Sequence, residues 1–244
     1  MSSRVLAVPA FNEAASLPGL LPALRERVPG FEIVVVDDGS TDGTAAVARR
    51  YADTVLRHPF NLGYGAALQT AYRYALRRGA DLLVQMDADG QHDPDEIATL
   101  LGPIEAGELD LVVGSRFLEE RGYPMGRVRR LGRDGFRRLA RLAGLELTDP
   151  TSGFQAMNRR ALALFQEDWW PADYPDVDVL LIAHRRGLRI GERAVRMAPS
   201  ARVSTLHSGW KPIYYVYKML LSLWAASGDR RSGAGVGSTD REET

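Results

Sequence analysis

Residues 82–92 read Leu82-Leu83-Val84-Gln85-Met86-Asp87-Ala88-Asp89-Gly90-Gln91-His92. The apolar first half is typical of a buried parallel strand, and two carboxylates one residue apart follow it. Ligands of open α/β sheets lie beyond the carboxyl ends of strands, so Asp87 and Asp89 are expected at a ligand-binding edge. Their spacing in an extended segment points both side chains the same way. Two hard oxygen donors suit Mg²⁺ or Mn²⁺, and an acidic loop without a ligand is an equally weighted alternative.

The composition is that of an ordinary globular protein, with 244 residues of which 45% are hydrophobic and 25% charged. The length allows one large α/β domain or two small ones. The 31 basic residues balance the 31 acidic ones, so no overall field favours nucleic acid. The absence of cysteine excludes disulfides and thiolate metal sites. We expect no signal peptide, no membrane-spanning helix and a cytoplasmic location.

Strand-like and helical segments alternate along the chain. Apolar runs predict strands at 5–8, 33–36, 55–56, 82–86, 111–116 and 189–195. Helical patterns begin at residue 17 and at the turn 41–44, where Thr41, Asp42 or Thr44 can provide a cap, and also cover 66–78, the region after 94, 159–165 and 177–186. This alternation predicts an α/β fold with a mainly parallel sheet.

Two later segments differ in character from the rest. Residues 116–141 contain nine arginines against three acidic residues, which predicts either a solvated basic face or an anion site. Residues 210–227 form an amphipathic, aromatic-rich helical segment that suits a membrane interface, with packing on protein as the alternative. The Gly- and Ser-rich residues 228–244 are expected to be a disordered tail.

Six segments occur in an order that resembles one known family. They are Val-Pro-Ala-Phe-Asn-Glu (8–13), Val-Val-Asp-Asp-Gly-Ser-Thr-Asp-Gly-Thr (35–44), Asn-Leu-Gly-Tyr-Gly (61–65), Met-Asp-Ala-Asp-Gly-Gln-His (86–92), Val-Gly-Ser-Arg-Phe (113–117) and Asp-Pro-Thr-Ser-Gly-Phe (149–154). Together they resemble the family 2 inverting glycosyltransferases, and most closely the dolichol-phosphate mannosyltransferase-like, polyprenyl-phosphate branch. The resemblance implies the GT-A fold, a Rossmann-like three-layer sandwich with helices on both faces of the sheet, over a catalytic domain at 1–209.

The resemblance assigns a nucleotide-binding role to the ends of the first two strands. Pro9, Phe11 and Glu13 match a Pro-x-Tyr-Asn-Glu segment that holds the base and ribose in the family. Phe11 replaces the usual tyrosine, so stacking on the base is retained and a hydroxyl contact is lost. Val36 and Asp38 match the second strand end, which also contacts the base and ribose.

The central motif takes the metal and the donor diphosphate in this family. Asp87, Ala88, Asp89 and Gln91 match its Asp-x-Asp-x-Gln signature, with Asp87, Asp89 and Gln91 as the implied ligands of Mg²⁺ or Mn²⁺. Arg116 matches an arginine near the phosphates.

The acceptor side is implied by further matches. Arg129 falls on an arginine that holds the acceptor phosphate, whereas Gly132 replaces a phosphate-binding serine of a relative. Asp149 and Ser152 match an acceptor-side loop. Relatives carry Arg-x-x-Gly-x-Ser in a late loop over the donor, and this chain has Ser200–Thr205 there, with Arg202 as a substitute from a shifted position.

The implied reaction is metal-dependent, inverting transfer of a sugar from a GDP- or UDP-sugar to a lipid phosphate, with Asp89, Arg116 and Arg129 as the principal catalytic residues. The expected location is the inner face of the cell membrane, and a homo-oligomer is left open. Three alternatives stay open. A hydroxyl acceptor would need a carboxylate base, for which Asp149, Asp176 and Asp178 are the candidates. A nucleotidyltransferase would need a glycine-rich basic loop where Pro9–Glu13 stand, and a scaffold would bind the donor without turnover.

Overall fold

The structure is a computed structural model that describes residues 3–118, 141, 144–175 and 177–198. The strands of these residues are β1 (Arg4–Ala10), β2 (Phe31–Asp37), β3 (Thr54–Arg57), β4 (Leu82–Gln85), β5 (Leu111–Ser115), β6 (Gln155–Asn158) and β7 (Ile190–Ala194). The helices are α1 (Leu17–Arg27), α2 (Thr44–Tyr51), α3 (Tyr64–Arg77), α4 (Ile97–Glu105), α5 (Arg159–Phe165) and α6 (Val177–Arg185), and a 3₁₀ turn covers Pro94–Glu96.

The strands form one sheet in the order β3-β2-β1-β4-β6-β5-β7. Neighbouring strands are parallel except at β6, which runs antiparallel to both β4 and β5. The predicted α/β class with a mainly parallel sheet is therefore confirmed. Strand β6 was not predicted, and it has a consequence for function: its first residue lies at the edge where the other strands end, so the loop before it reaches that edge as well.

Helices cover both faces of the sheet, which confirms the three-layer arrangement. On one face, the apolar sides of α1 and α4 pack with alternate strand residues such as Leu6, Val8 and Val84 in a single buried cluster. On the other face, α3 packs on β1, β2 and β4 and contacts α5. Strands buried on both faces explain the continuous apolar runs that made β1, β2 and β4 predictable.

Two helix starts differ from the sequence prediction. Helix α2 begins after Gly43, whose φ of 89° lies in the left-handed region, and Asp42 accepts the Thr44 N–H at 3.0 Å. The predicted cap was therefore wrong: Gly43 is the N-cap residue and no side chain caps the helix, while the Asp42 oxygen holds the turn just before it. Helix α3 begins at Tyr64 rather than at residue 66, because Gly63 with φ 106° reverses the chain just before it.

The predicted interfacial helix at 210–227 and tail at 228–244 lie outside the described residues. All residues that the structure describes fall within one compact unit, Met1–Arg202. Within those described ranges, the helices are too short or too polar to cross a bilayer.

The edge opposite the predicted ligand site is held by a buried carboxylate, Asp110, just before β5. Its oxygens accept hydrogen bonds from the Arg189 Nη2 at 2.9 Å, the Asn158 Nδ2 at 2.9 Å and the Arg160 Nη1 at 3.1 Å. These bonds tie the starts of β5 and β7 to the end of β6. The Arg189 guanidinium, as the largest cause, holds the pKa of Asp110 well below its ordinary value.

Replacing Asp110 tests this contribution to stability. Because the pKa is lowered on folding, the ionised carboxylate stabilises the fold above the unfolded-state pKa, about 3.9, and this contribution is lost as the pH falls further. Asp110→Asn should lower the free energy of unfolding at pH 7 by about 1–3 kcal/mol, since buried donors lose their acceptor. The difference from the wild type should shrink in urea unfolding below pH 4. The control is Asp168→Asn, at a fully exposed side chain, and it should leave the stability close to that of the wild type. Equal stability of Asp110→Asn and the wild type at pH 7 would contradict the stabilising role of Asp110.

Candidate active site

The carboxyl ends of β1, β2, β4 and β5 meet at one edge of the sheet, and the loop before β6 reaches the same edge. Asp87 and Asp89 follow β4 there. Met86 and Ala88, which alternate with them, are buried in the core cluster, while Asp87 is half-buried and Asp89 is exposed. The predicted placement of both carboxylates on one side of an extended segment agrees with this pattern.

Asp87 is held from two directions. The Tyr64 hydroxyl donates to its Oδ1 at 2.7 Å, and its backbone N–H donates to the His92 Nδ1 at 3.1 Å. The His92 Nε2 lies 3.7 Å from the Asp87 Oδ2, and the imidazole stacks on Phe154 with ring centroids 4.7 Å apart. Sequence reasoning gave no role to His92 or Tyr64, although both lie within motifs that it identified.

The electrostatics of this edge favour a bound cation. Although Asp89 reaches solvent, desolvation by its surroundings raises its pKa, and the carboxylates of Asp87 and Glu13 raise it further. Burial lowers the pKa of His92, so the imidazole is neutral, and its Nδ1 accepts the Asp87 N–H. A neutral His92 does not balance the negative charge of the two aspartates.

The donor set fits a divalent metal that is completed by substrate. In the described part of the chain, no three or more His, Asp or Glu side chains form a cluster that could hold a metal alone. Mg²⁺ is usually bound by one or two carboxylates, with waters and substrate phosphates as its other ligands. Asp87 and Asp89 match that pattern. Gln91 is half-buried beside them, its backbone N–H donating to the Asp89 Oδ1 at 3.0 Å.

The turns after β1 and β2 are bonded to each other. Asn12, with φ 57°, donates its N–H to the Ser40 Oγ at 2.9 Å, and Glu13 donates its N–H to the Thr44 Oγ1 at 2.8 Å. Phe11 projects from this pair of turns with 47% of its surface exposed, as an aromatic face available for stacking.

The other residues expected at the nucleotide lie deeper. Pro9 and Val36 are buried and paired with each other across β1 and β2. The Asp38 carboxylate accepts bonds from the His58 Nδ1 at 2.7 Å, the Leu62 N–H at 2.9 Å and the Gly63 N–H at 2.9 Å. Asp38 therefore holds the glycine loop before α3, a structural role that the sequence did not indicate.

Arg116 extends from the end of β5 and is paired with Asp149. Its Nε and Nη2 donate to the two Asp149 oxygens at 2.6 and 2.8 Å. Glu192 of β7 holds the start of the loop 149–154. Its carboxylate accepts hydrogen bonds from the Asp149 N–H at 2.7 Å and from the Thr148 hydroxyl at 2.8 Å. Burial raises the pKa of Glu192, and the Asp149 carboxylate adds to this rise. An acidic residue at a buried position of a predicted strand was the signal that could have identified Glu192.

The structure thus brings Glu13, Asp87, Asp89, Arg116 and Asp149 to one edge. Several residues predicted for the site fall outside the described residues, namely Arg129, Gly132, Asp176 and Arg202. Ala88 is buried, and Ser152 is buried in the loop beside Asp149.

Comparison with known proteins identifies the family. Residues 5–165 match the family model described as glycosyl transferase family 2. The chain belongs to this family, which confirms the resemblance stated from the motifs.

The names of three relatives refer to polyprenyl-type lipid phosphates. A polyprenol monophosphomannose synthase of Mycolicibacterium smegmatis is 36% identical over 164 residues, covering 64% of this chain and 61% of that protein. An undecaprenyl-phosphate mannosyltransferase of Micrococcus luteus is 37% identical, covering 68% of this chain and 70% of its own. A UDP-N-acetylglucosamine–dolichyl-phosphate N-acetylglucosaminyltransferase of Methanococcus voltae is 30% identical, and the match covers 88% of this chain and 94% of that protein. The match therefore spans less than two thirds of the first of these relatives.

Solved structures share the fold. Glucosyl-3-phosphoglycerate synthase from Mycobacterium tuberculosis, in complex with phosphoglyceric acid, has a TM-score of 0.71 at 22% identity, covering 96% of this chain and 83% of that one. The same enzyme in complex with Mn²⁺, UDP and glucosyl-3-phosphoglycerate has a TM-score of 0.67 at 21% identity, with the same coverage.

The role of Asp38 generates a prediction that does not depend on any ligand. In Asp38→Asn, an NH₂ group replaces one of the oxygens that accept loop N–H groups. This loss of an acceptor should lower the free energy of unfolding by about 1–3 kcal/mol. The Leu62 and Gly63 amides should lose protection in hydrogen exchange. The exposed Asp81, which accepts the Ser3 N–H, gives the control Asp81→Asn. Unchanged protection at Leu62 and Gly63 would show that Asp38 does not hold this loop.

Proposed function

We propose that this protein transfers a sugar from a nucleotide-sugar donor to a polyprenyl phosphate, with inversion at the anomeric carbon and with Mg²⁺ or Mn²⁺ as cofactor. The observation that carries the proposal is the placement of Asp87 and Asp89 at the carboxyl end of β4, in a family 2 chain whose relatives are named for transfer to polyprenyl-type phosphates. Structures of the same fold in complex with Mn²⁺ and UDP support the metal and the donor class.

Asp89 and Asp87 would hold the divalent metal, with Gln91 assisting. When bound, the metal neutralises charge on the nucleoside diphosphate as the leaving group departs. The raised pKa of Asp89 is consistent with this role: desolvation is its largest cause, the carboxylates of Asp87 and Glu13 add to it, and a bound cation would offset both effects. Two protein carboxylates leave coordination positions for the donor's own phosphates.

The nucleotide would lie against the turns that follow β1 and β2. The exposed Phe11 ring would stack on the base, and Glu13, which lies near enough to Asp89 to raise its pKa, would face the ribose. Pro9, Val36 and Ala88 would shape the floor of the site through buried backbone. Asp38 would act by holding the glycine loop rather than by direct contact. GDP- and UDP-sugars both offer a base for stacking and a ribose, so a turnover assay with both classes of donor decides between them.

The acceptor phosphate would lie on the side of Arg116 and the 149–154 loop. Asp149 fixes the guanidinium through Nε and Nη2, which removes the cost of ordering that side chain when an anion binds. Arginine recognises phosphate by paired hydrogen bonds. We assign Arg129 to the same phosphate and Arg202 to the donor, both from the family pattern.

The ion pair with Arg116 also favours a phosphate over a hydroxyl acceptor. A hydroxyl needs a general base to remove its proton, whereas a phosphate monoester is already anionic near pH 7. Asp149 was one of the three candidates for a base, but protonation would break its two bonds to Arg116. The same carboxylate is well suited to orienting the arginine.

A polyprenyl phosphate resides in a membrane, so we propose that the protein works at the cytoplasmic face of the bilayer. Residues 210–227 are the segment we expect to contact it. Self-association stays a prediction.

A turnover assay tests the function directly. Purified protein is incubated with Mg²⁺ or Mn²⁺, a panel of labelled GDP- and UDP-sugars, and a short polyprenyl phosphate, with 3-phosphoglycerate as a competing acceptor class. Metal-dependent label in the organic phase is the expected result. Label on phosphoglycerate, or nucleotide release without lipid label, would point to another acceptor, and donor binding without turnover would support a scaffold.

The same assay tests the metal ligand. Asp89→Asn should lower kcat/KM by about 100-fold or more, since metal stabilisation of the leaving group contributes several kcal/mol and each 1.36 kcal/mol is tenfold. The exposed Asp95, 3.5 Å from Arg27, provides the matched control Asp95→Asn, which should retain wild-type activity. Full metal-dependent turnover by Asp89→Asn would refute this assignment.

A further inference from the structure

Tyr64 is the first residue of α3, and its hydroxyl donates to the Asp87 Oδ1 at 2.7 Å. Tyr64 has no part in the proposed binding of metal, donor or acceptor. A hydrogen bond of this kind restricts the rotation of the carboxylate and fixes which lone pairs face the site. Outer partners that orient metal-binding side chains commonly affect metal affinity as much as some ligands do.

The backbone at Tyr64 is fastened by the segment 170–175. The N–H groups of Gly65 and Ala66 donate to the carbonyl oxygens of Asp173 and Ala172 at 2.5 and 2.9 Å. The Trp170 Nε1 donates to the Gly65 carbonyl at 2.9 Å. A Cβ atom on Gly65 would lie 2.1 Å from the Pro171 carbonyl oxygen, so only glycine permits this close approach. The first turn of α3 therefore has little freedom to move away from Asp87.

The ring of Tyr64 is restricted as well. It stacks on Tyr174 of the same segment, with ring centroids 5.9 Å apart and an interplanar angle of 21°. The loop 149–154 lies close to its hydroxyl group. A Cβ atom on Gly153 would lie 2.9 Å from both the Tyr64 hydroxyl oxygen and the Asp87 Oδ2. Gly153 is kept in place because its carbonyl accepts the Gln85 Nε2–H at 3.1 Å.

We propose that Tyr64 is a positioning residue that sets the Asp87 carboxylate for the divalent cation, and that Gly153 is required because a larger residue would displace this pair. The inference rests on the proposed function, since it assumes that Asp87 binds the metal. It also links the two halves of the site, because the loop 149–154 and the segment 170–175 both bear on the residue that orients a metal ligand.

Tyr64→Phe tests the hydroxyl alone, since the aromatic ring and its stacking on Tyr174 are retained. Mn²⁺ binding is measured by electron paramagnetic resonance of the full chain, with GDP or UDP present and without sugar transfer. The dissociation constant for Mn²⁺ should rise about 10- to 100-fold. Thermal unfolding of the metal-free protein, followed by circular dichroism, should stay close to that of the wild type.

Tyr74→Phe is the matched control on the same helix. Its hydroxyl contacts Glu32 and Thr54, away from the carboxyl edge of β4. This variant should bind Mn²⁺ like the wild type. An equal rise in both variants would show a general effect on α3 and overturn the proposal.

Gly153→Ala provides a second, independent variant that removes no hydrogen-bonding group. The added Cβ should push the Asp87 and Tyr64 side chains apart and raise the dissociation constant for Mn²⁺ as well. Wild-type binding by both Tyr64→Phe and Gly153→Ala would reject this role while leaving the proposed function intact. A wild-type chain that binds no Mn²⁺ in the presence of either nucleotide would instead reject the proposed metal site, and this role with it.

Discussion

The position of β4 in the sheet is the constraint on which the rest of the site depends. Parallel β1 lies on one side of it and antiparallel β6 on the other, with Gln85 paired to both Ala7 and Gln155. Strand β4 ends at Gln85, and Asp87 and Asp89 follow it. They therefore lie between the turn that joins β1 to α1 and the loop that leads into β6. Because β6 runs in the opposite direction, the loop 149–154 starts its strand at the same edge. One reversed strand thus brings the loop 149–154 to the same edge as Asp87 and Asp89.

Electrostatics then divides this edge into two regions. Around Asp87 and Asp89 the carboxylates lie beside a neutral His92, and this region suits a divalent metal and a diphosphate. Around Arg116 the charges are already balanced by Asp149, whose loop is held by Glu192. A site of this kind keeps a cation-binding region beside an arginine whose position is fixed by a carboxylate. Both features suit the sugar transfer to a lipid phosphate that we propose.

Most of the fold could be predicted from the sequence because its strands are buried on both faces. The runs at β1, β2, β4 and β5 are continuous and apolar, and each is followed by polar residues. Strand β6 has only four residues, with Gln155 and Asn158 at its ends, and its partners are distant in the chain. No local pattern distinguishes such a segment from a loop. Its antiparallel direction is a property of the whole sheet rather than of its own residues.

The candidate site divides in the same way. Asp87 and Asp89 could be predicted because a strand followed by alternating carboxylates is a local pattern. Tyr64, His92 and Glu192 act through contacts with residues that other elements bring to them, and residue type alone does not reveal these partners. Asp38 illustrates the converse: the family pattern implies a contact with the base and ribose, and the contacts of its carboxylate with the loop before α3 are an addition that the motif did not indicate.

The central claim is that Asp87 and Asp89 bind a divalent metal together with the donor diphosphate. The most direct measurement is a crystal structure of the protein with Mn²⁺ and a nucleoside diphosphate, with the metal located by its anomalous scattering. The account predicts an anomalous peak bonded to an Asp89 oxygen and to the diphosphate, with Asp87 adjacent and still hydrogen-bonded to Tyr64. A bound nucleotide with the metal elsewhere, or with both carboxylates uncoordinated, would contradict it.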